Sequence, residues 1–112
     1  MTRHTDLYFN DILHAAAKIQ RYTRGMAFAE FKRDDKTVDA VIRNLHVIGE
    51  AARSVPIHVQ NKNPQVPWRD IIAMRNILIH EYFGVDAAII WKTVREDLPV
   101  LKKAIAAIRT EK

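Results

Sequence analysis

Residues 68–82 read WRDIIAMRNILIHEY. At about 100° per residue, Ile71, Ile72, Leu78, Ile79 and Tyr82 share one broad helical face, and Arg75 projects from its centre. A guanidinium among isoleucines is costly unless a hydrogen-bonding anion meets it, and it cannot escape by deprotonating. The pattern therefore demands either a carboxylate from elsewhere in the chain or an anionic ligand. Ala73, Met74 and Ile77 cover the other sides of the same helix, so it belongs at the centre of a core or at a subunit interface.

Working outward, the clearest stripe lies upstream. Val38, Val41, Ile42, Leu45, Ile48, Ala52 and Val55 recur at helical spacing over residues 36–54, and Pro56 ends the run. A first helix is predicted over residues 6–22 from Tyr8, Ile12, Ala15, Ile19 and Tyr22, with Thr5 or Asp6 as its cap and Gly25 just beyond its end. A short helical piece over residues 28–32 should bury Phe28 and Phe31. Residues 56–67 hold three prolines and two asparagines, which predicts a loop with at most one helical turn. The helix that opens at Trp68 should run to His80 or Phe83 and break near Gly84.

A last helical region is expected from Asp86 to about Arg109, with Ile90, Trp91, Val94, Leu98, Leu101, Ile105 and Ile108 inward. Pro99 should kink or restart it, with Asp97 as the new N-cap. No repeat, linker or strand pattern interrupts this order. The fold class is therefore all-α: an up-down antiparallel bundle of four to five helices in a single domain, residues 1–112.

Composition narrows the function classes. At 112 residues the chain can build one hydrophobic core, and its three glycines and four prolines are too few for a turn-rich β fold. No run approaches the roughly 18 apolar residues of a membrane span, and MTRHTDLYFN has no signal-peptide pattern. Zero cysteines excludes disulfides and thiolate metal sites. A cytoplasmic protein without membrane partners is the expectation. The formal charge of +5 and pI near 9.7 are consistent with a polyanionic partner, although the basic residues are scattered rather than gathered in a stripe.

The residue types around Arg75 suit phosphodiester chemistry without metal. A histidine such as His80 can take the proton of a ribose 2′-hydroxyl or give one to the leaving 5′-oxygen. Arg75 offers a planar fork to the phosphate as charge develops, and Asn76 could bind substrate or orient His80. Around one helix, however, Arg75 and His80 lie about 140° apart. A joint site needs the helix to end near His80 or a second copy of the motif from a two-fold partner. The structural alternative stays open: Glu50, in the small-residue run Gly49-Glu50-Ala51-Ala52, is the natural carboxylate to satisfy Arg75. His4, His14, His46 and His58 read as surface or cap residues, and Trp68 and Trp91 as core anchors. No HExxH, close histidine pair or glycine-rich phosphate loop is present, so no metal site and no cofactor are expected.

The string Arg75-Asn76-Ile77-Leu78-Ile79-His80-Glu81-Tyr82 resembles the R-x4-H-x-Y motif of HepT-like toxins, which belong to the HEPN superfamily of helical ribonucleases. The likeness extends through Gly49-Glu50-Ala51-Ala52, Val66-Pro67-Trp68-Arg69-Asp70, Val85-Asp86, Trp91 and Asp97-Leu98-Pro99, and covers essentially the whole chain. It implies a homodimeric HEPN-like bundle whose paired motifs line a composite cleft. It also implies a metal-independent endoribonuclease cleaving RNA to a 2′,3′-cyclic phosphate, with Arg75 and His80 catalytic and Asn76 and Glu50 supporting. The implied biological role is the toxin of a toxin–antitoxin pair. Its partner would be an MntA-type nucleotidyltransferase that neutralises it by transferring AMP to Tyr82. The competing reading is a non-catalytic helical partner, or substrate-presenting subunit, of a nucleotidyltransferase.

Overall fold

The computed structural model of the chain describes residues 3–80 and 86–110, and the side chains of all of these except residues 3, 79, 80, 109 and 110. Helix α1 spans Arg3–Thr23, α2 Phe28–Arg33, α3 Asp35–Ser54, α4 Ile57–Lys62 and α5 Trp68–His80. The last region begins as α6, Ala87–Lys92, passes through a π-helical turn at Thr93–Asp97, and continues as α7, Leu98–Thr110. Among the described residues there is no strand, and the all-helical bundle expected from the apolar spacing is what forms.

The long helices begin and end where local chemistry dictates. Gly25, at φ +78°, supplies the left-handed residue that follows α1. Thr23 closes the last turn of α1 by donating its hydroxyl to the Ile19 carbonyl at 2.9 Å. Helix α3 is capped by Asp34, whose carboxylate accepts from the Thr37 amide at 3.1 Å and its hydroxyl at 2.9 Å. Those two bonds hold the Asp34 carboxyl below the usual range. Asp86 caps α6 through the Ala88 amide at 2.8 Å.

Three boundaries differ from the sequence expectation. Helix α1 starts at Arg3, so Thr5 and Asp6 lie inside it and do not cap it. The proline-rich interval holds α4, a six-residue helix with Pro56 as its N-cap and Val59 buried. A proline at a helix start sacrifices only an amide that has no intrahelical partner anyway, so Pro56 launches this helix as well as ending α3. Counting α6, the π turn and α7 as one, the described residues form six helices, not four to five. Asp97, expected to cap a restarted helix, instead closes the π turn, and the Leu98 amide donates to the Thr93 carbonyl five residues back. Pro99 explains this, because its ring lacks a donor and would clash with the carbonyl four residues earlier; the wider turn relieves both problems.

Helix α3 is the central element, packed between α1 and α5, and α7 returns against α1. Phe9, Ile12 and Ile19 of α1 meet Val41, Leu45 and Ile48 of α3, and Ile90, Leu98 and Ile105 complete the core. Trp68, at the head of α5, is buried near the Phe9 ring at 6.4 Å and donates its indole N–H to the Asn63 carbonyl at 3.0 Å. That bond ties α5 to the chain following α4. Trp91 packs on Phe31 with ring centroids 4.9 Å apart, and the Arg95 guanidinium lies 4.3 Å from the Trp91 ring centroid while donating to the Met26 carbonyl at 2.6 Å. The Trp68 contacts fix the start of α5, and the Trp91 cluster joins α2 to α6 and the π turn.

Candidate anion site

Arg75 lies where α5 crosses α3, and Gly49 makes the crossing possible. A Cβ on Gly49 would stand 2.2 Å from the Arg75 Cβ and 2.8 Å from its Cγ, closer than atoms can pack. The missing side chain is the slot into which the stem of Arg75 fits. Ala51 and Ala52 keep the same stretch of α3 narrow, and both are buried. The sequence GEAA therefore encodes a close helix crossing with one acidic group beside it.

That group is Glu50. Its carboxylate accepts a charge-assisted hydrogen bond from Arg75 Nε, so the structure pairs the two residues that the sequence made natural partners. The Arg75 hydrogen bond, with a Coulombic contribution from the same guanidinium, holds the Glu50 carboxyl below the usual glutamate range against a smaller opposing effect of burial. The pair is not a buried one, however. The Arg75 side chain is 17% exposed and Glu50 is 42% exposed. A pair this solvated adds little to stability, so its principal effect is on geometry.

Asn76 completes the hold. Its side-chain oxygen accepts from Arg75 Nη1 at 2.8 Å. Among the described residues Asn76 engages the arginine, and its expected service to His80 involves a side chain outside them. With Nε on Glu50 and Nη1 on Asn76, the guanidinium plane is fixed from two sides, and among the described residues no acceptor meets Nη2. A planar, permanently charged fork that is held still and keeps donors free is suited to a phosphate. His46, one turn before Glu50 and expected at the surface, has a side chain that is 45% exposed. Its Nε2 stands 3.7 Å from the same Glu50 oxygen. The i, i+4 spacing of His46 and Glu50 was the available signal.

His80 is the last described residue of α5, so the expectation that the helix ends there to make a joint site with Arg75 falls outside the described residues. Its side chain, and all of Tyr82, lie outside the described residues. His4, His14 and His58 are exposed. Among the described residues no group of three or more histidine, aspartate or glutamate side chains could hold a metal ion, and no helix is long and apolar enough to cross a membrane.

The class these observations define is an all-helical bundle with an oriented, partly exposed arginine at its central crossing. A family model described as ribonuclease HepT-like matches residues 12–108, and the chain belongs to that family. A probable ribonuclease HepT of Thermococcus cleftensis is 45% identical over 102 residues, covering 91% of this chain and 93% of that protein. A candidate RNase of Methanocaldococcus jannaschii is 39% identical over 106 residues, covering 95% and 97% respectively. Another candidate RNase, from Caldanaerobacter subterraneus, is 38% identical over 101 residues, or 90% of each chain. No solved structure matches the chain at a significant level.

Proposed function

We propose that this protein is a metal-independent endoribonuclease and the toxin of a HepT/MntA-type toxin–antitoxin pair. The observation that carries the reading is the arrangement of Arg75 in a chain of the HepT-like family. Its guanidinium is oriented by Glu50 and Asn76 and keeps Nη2 without an acceptor among the described residues. In this reading a phosphodiester takes that place. The ribose 2′-oxygen attacks phosphorus as a base removes its proton, the bond to the 5′-oxygen breaks, and that oxygen leaves protonated. The products are a 2′,3′-cyclic phosphate and a 5′-hydroxyl. His80 acts as the acid or base, and Arg75 stabilises charge on the non-bridging oxygens.

Within one helix His80 and Arg75 point apart, so the composite site is completed by a second copy of the chain related by a two-fold axis. Exposed Ile77, 41% accessible on α5, supports an apolar contact on this helix. Tyr82, seven residues from Arg75, is the site at which an MntA-type nucleotidyltransferase transfers AMP from ATP, with release of pyrophosphate. An adenylyl group there adds a phosphate and bulk on the Arg75 side and blocks RNA. The protein works in the cytoplasm, where both RNA and the antitoxin are at hand.

Purified protein incubated with RNA in EDTA tests the reading. Cleavage that leaves 2′,3′-cyclic ends and is abolished in a folded His80→Ala variant supports it. Cleavage that requires added metal, or full activity in that variant, refutes it.

A further inference from the structure

A second surface lies on the other flank of α5. Met74 lies about 100° around α5 from Arg75, and Ile71 stands one turn before Arg75, so the surface begins beside the anion site without including Arg75, Asn76 or Glu50. There Ile71 and Met74 form one wall of an open groove of about 380 Å³, floored by Leu45 and Ile48 of α3 and bounded by Leu101 and Val100 of α7. Val100 is 59% exposed at the lip. Its charged lining consists of Asp70 and Asp97 alone, both exposed, and neither has an ion-pair partner among the described residues.

That local sign runs against the molecule. The chain carries 18 lysines and arginines against 13 acidic residues, yet this groove has two carboxylates and no cation. A polyanion is repelled here. An apolar surface with an acidic rim complements apolar side chains flanked by positive ones. The π turn adds a second indication, since Thr93 and Asp97 at its two ends both line the groove, and such turns recur at functional sites.

We propose that this groove is a docking surface for a segment of a partner protein that presents an apolar helical face flanked by lysine or arginine. The lining includes none of Arg75, Asn76 and Glu50, so docking leaves the groups that would hold an anion unengaged. The surface stands on its own lining and does not depend on the ribonuclease reading.

The probe is a pair of fluorescent synthetic helical peptides with the same leucine pattern, one carrying lysines and the other glutamates. Wild-type protein should bind the lysine peptide, shift the Met74 methyl resonance, and leave that of Met26 unmoved. Asp70→Lys/Asp97→Lys, both at exposed positions, should weaken that binding by about tenfold and shift preference to the glutamate peptide. If the doubled substitution unfolds the chain, Asp97→Lys alone should weaken it in the same direction. Equal binding of both peptides, unchanged affinity after charge reversal, or an unmoved Met74 signal overturns the proposal. It is also overturned if sedimentation shows that the reversal only dissociates a dimer of this chain, because the groove then belongs to a second copy.

Discussion

Gly49→Ala should damage this protein although helix propensity argues the opposite. A glycine inside a helix costs roughly 0.5–1 kcal/mol relative to alanine, so the substitution would be stabilising if α3 stood alone. Here the new methyl meets the Arg75 Cβ at 2.2 Å, about 1.2 Å short of the 3.4 Å at which ordinary contact begins. Its neighbours are a Cβ, a Cγ at 2.8 Å and a Cα, so no flexible side-chain end can swing aside. The two helices must part instead, and overpacking of this kind costs about 1–3 kcal/mol. The net destabilisation expected is about 1–2 kcal/mol, which lowers Tm by roughly 4–9 °C in a domain of this size. Thermal unfolding followed by circular dichroism reads it directly. Because the clash is with Cβ, Arg75→Ala in the same background should not restore Tm. An unchanged or raised Tm for Gly49→Ala would refute the close crossing and the slot built on it.

Other outcomes follow from the same contacts. Glu50 titrates below its ordinary value in the folded chain, so the pair's contribution is present above the ordinary glutamate range and is lost as pH falls through the lowered folded value. Glu50→Gln should therefore flatten the acid side of the Tm–pH curve while changing Tm near neutrality only slightly, since the pair is half exposed. Trp68→Phe leaves the Asn63 carbonyl without its indole donor and should cost about 1–2 kcal/mol in urea unfolding. On the proposed function, intact-mass measurement of the protein co-expressed with an MntA-type nucleotidyltransferase should show added AMP that disappears in Tyr82→Phe; AMP retained in that variant would place the modification elsewhere.

The long helices are legible because their apolar residues repeat at 3.6-residue spacing over several turns. What the spacing could not supply was the behaviour of prolines. Pro56 reads as a terminator, yet it also begins α4, and Pro99 reads as a break, yet a π turn absorbs it. Both outcomes turn on backbone groups that a periodicity of side chains does not record. At the site, Glu50 could be found because it is the acidic residue in a run of small ones. The geometric reason for Gly49 could not, since it depends on which helix crosses there. Asn76 was singled out as a polar neighbour of Arg75, but its partner had to be seen. His46 escaped because a histidine on an exposed helical face has many ordinary uses.

Arg75 is the centre of this account, and its removal is the most direct test. Single-turnover cleavage of an RNA oligonucleotide in EDTA should be compared for wild-type protein and a folded Arg75→Ala variant, with a fully 2′-deoxy oligonucleotide as control. Loss of one donor to a developing oxyanion typically costs about 10²–10³ in rate, and the deoxy strand should bind without being cut. A variant that cleaves within about tenfold of wild type, or a deoxy strand that is cut, would contradict Arg75 as the anchor of the reacting phosphate.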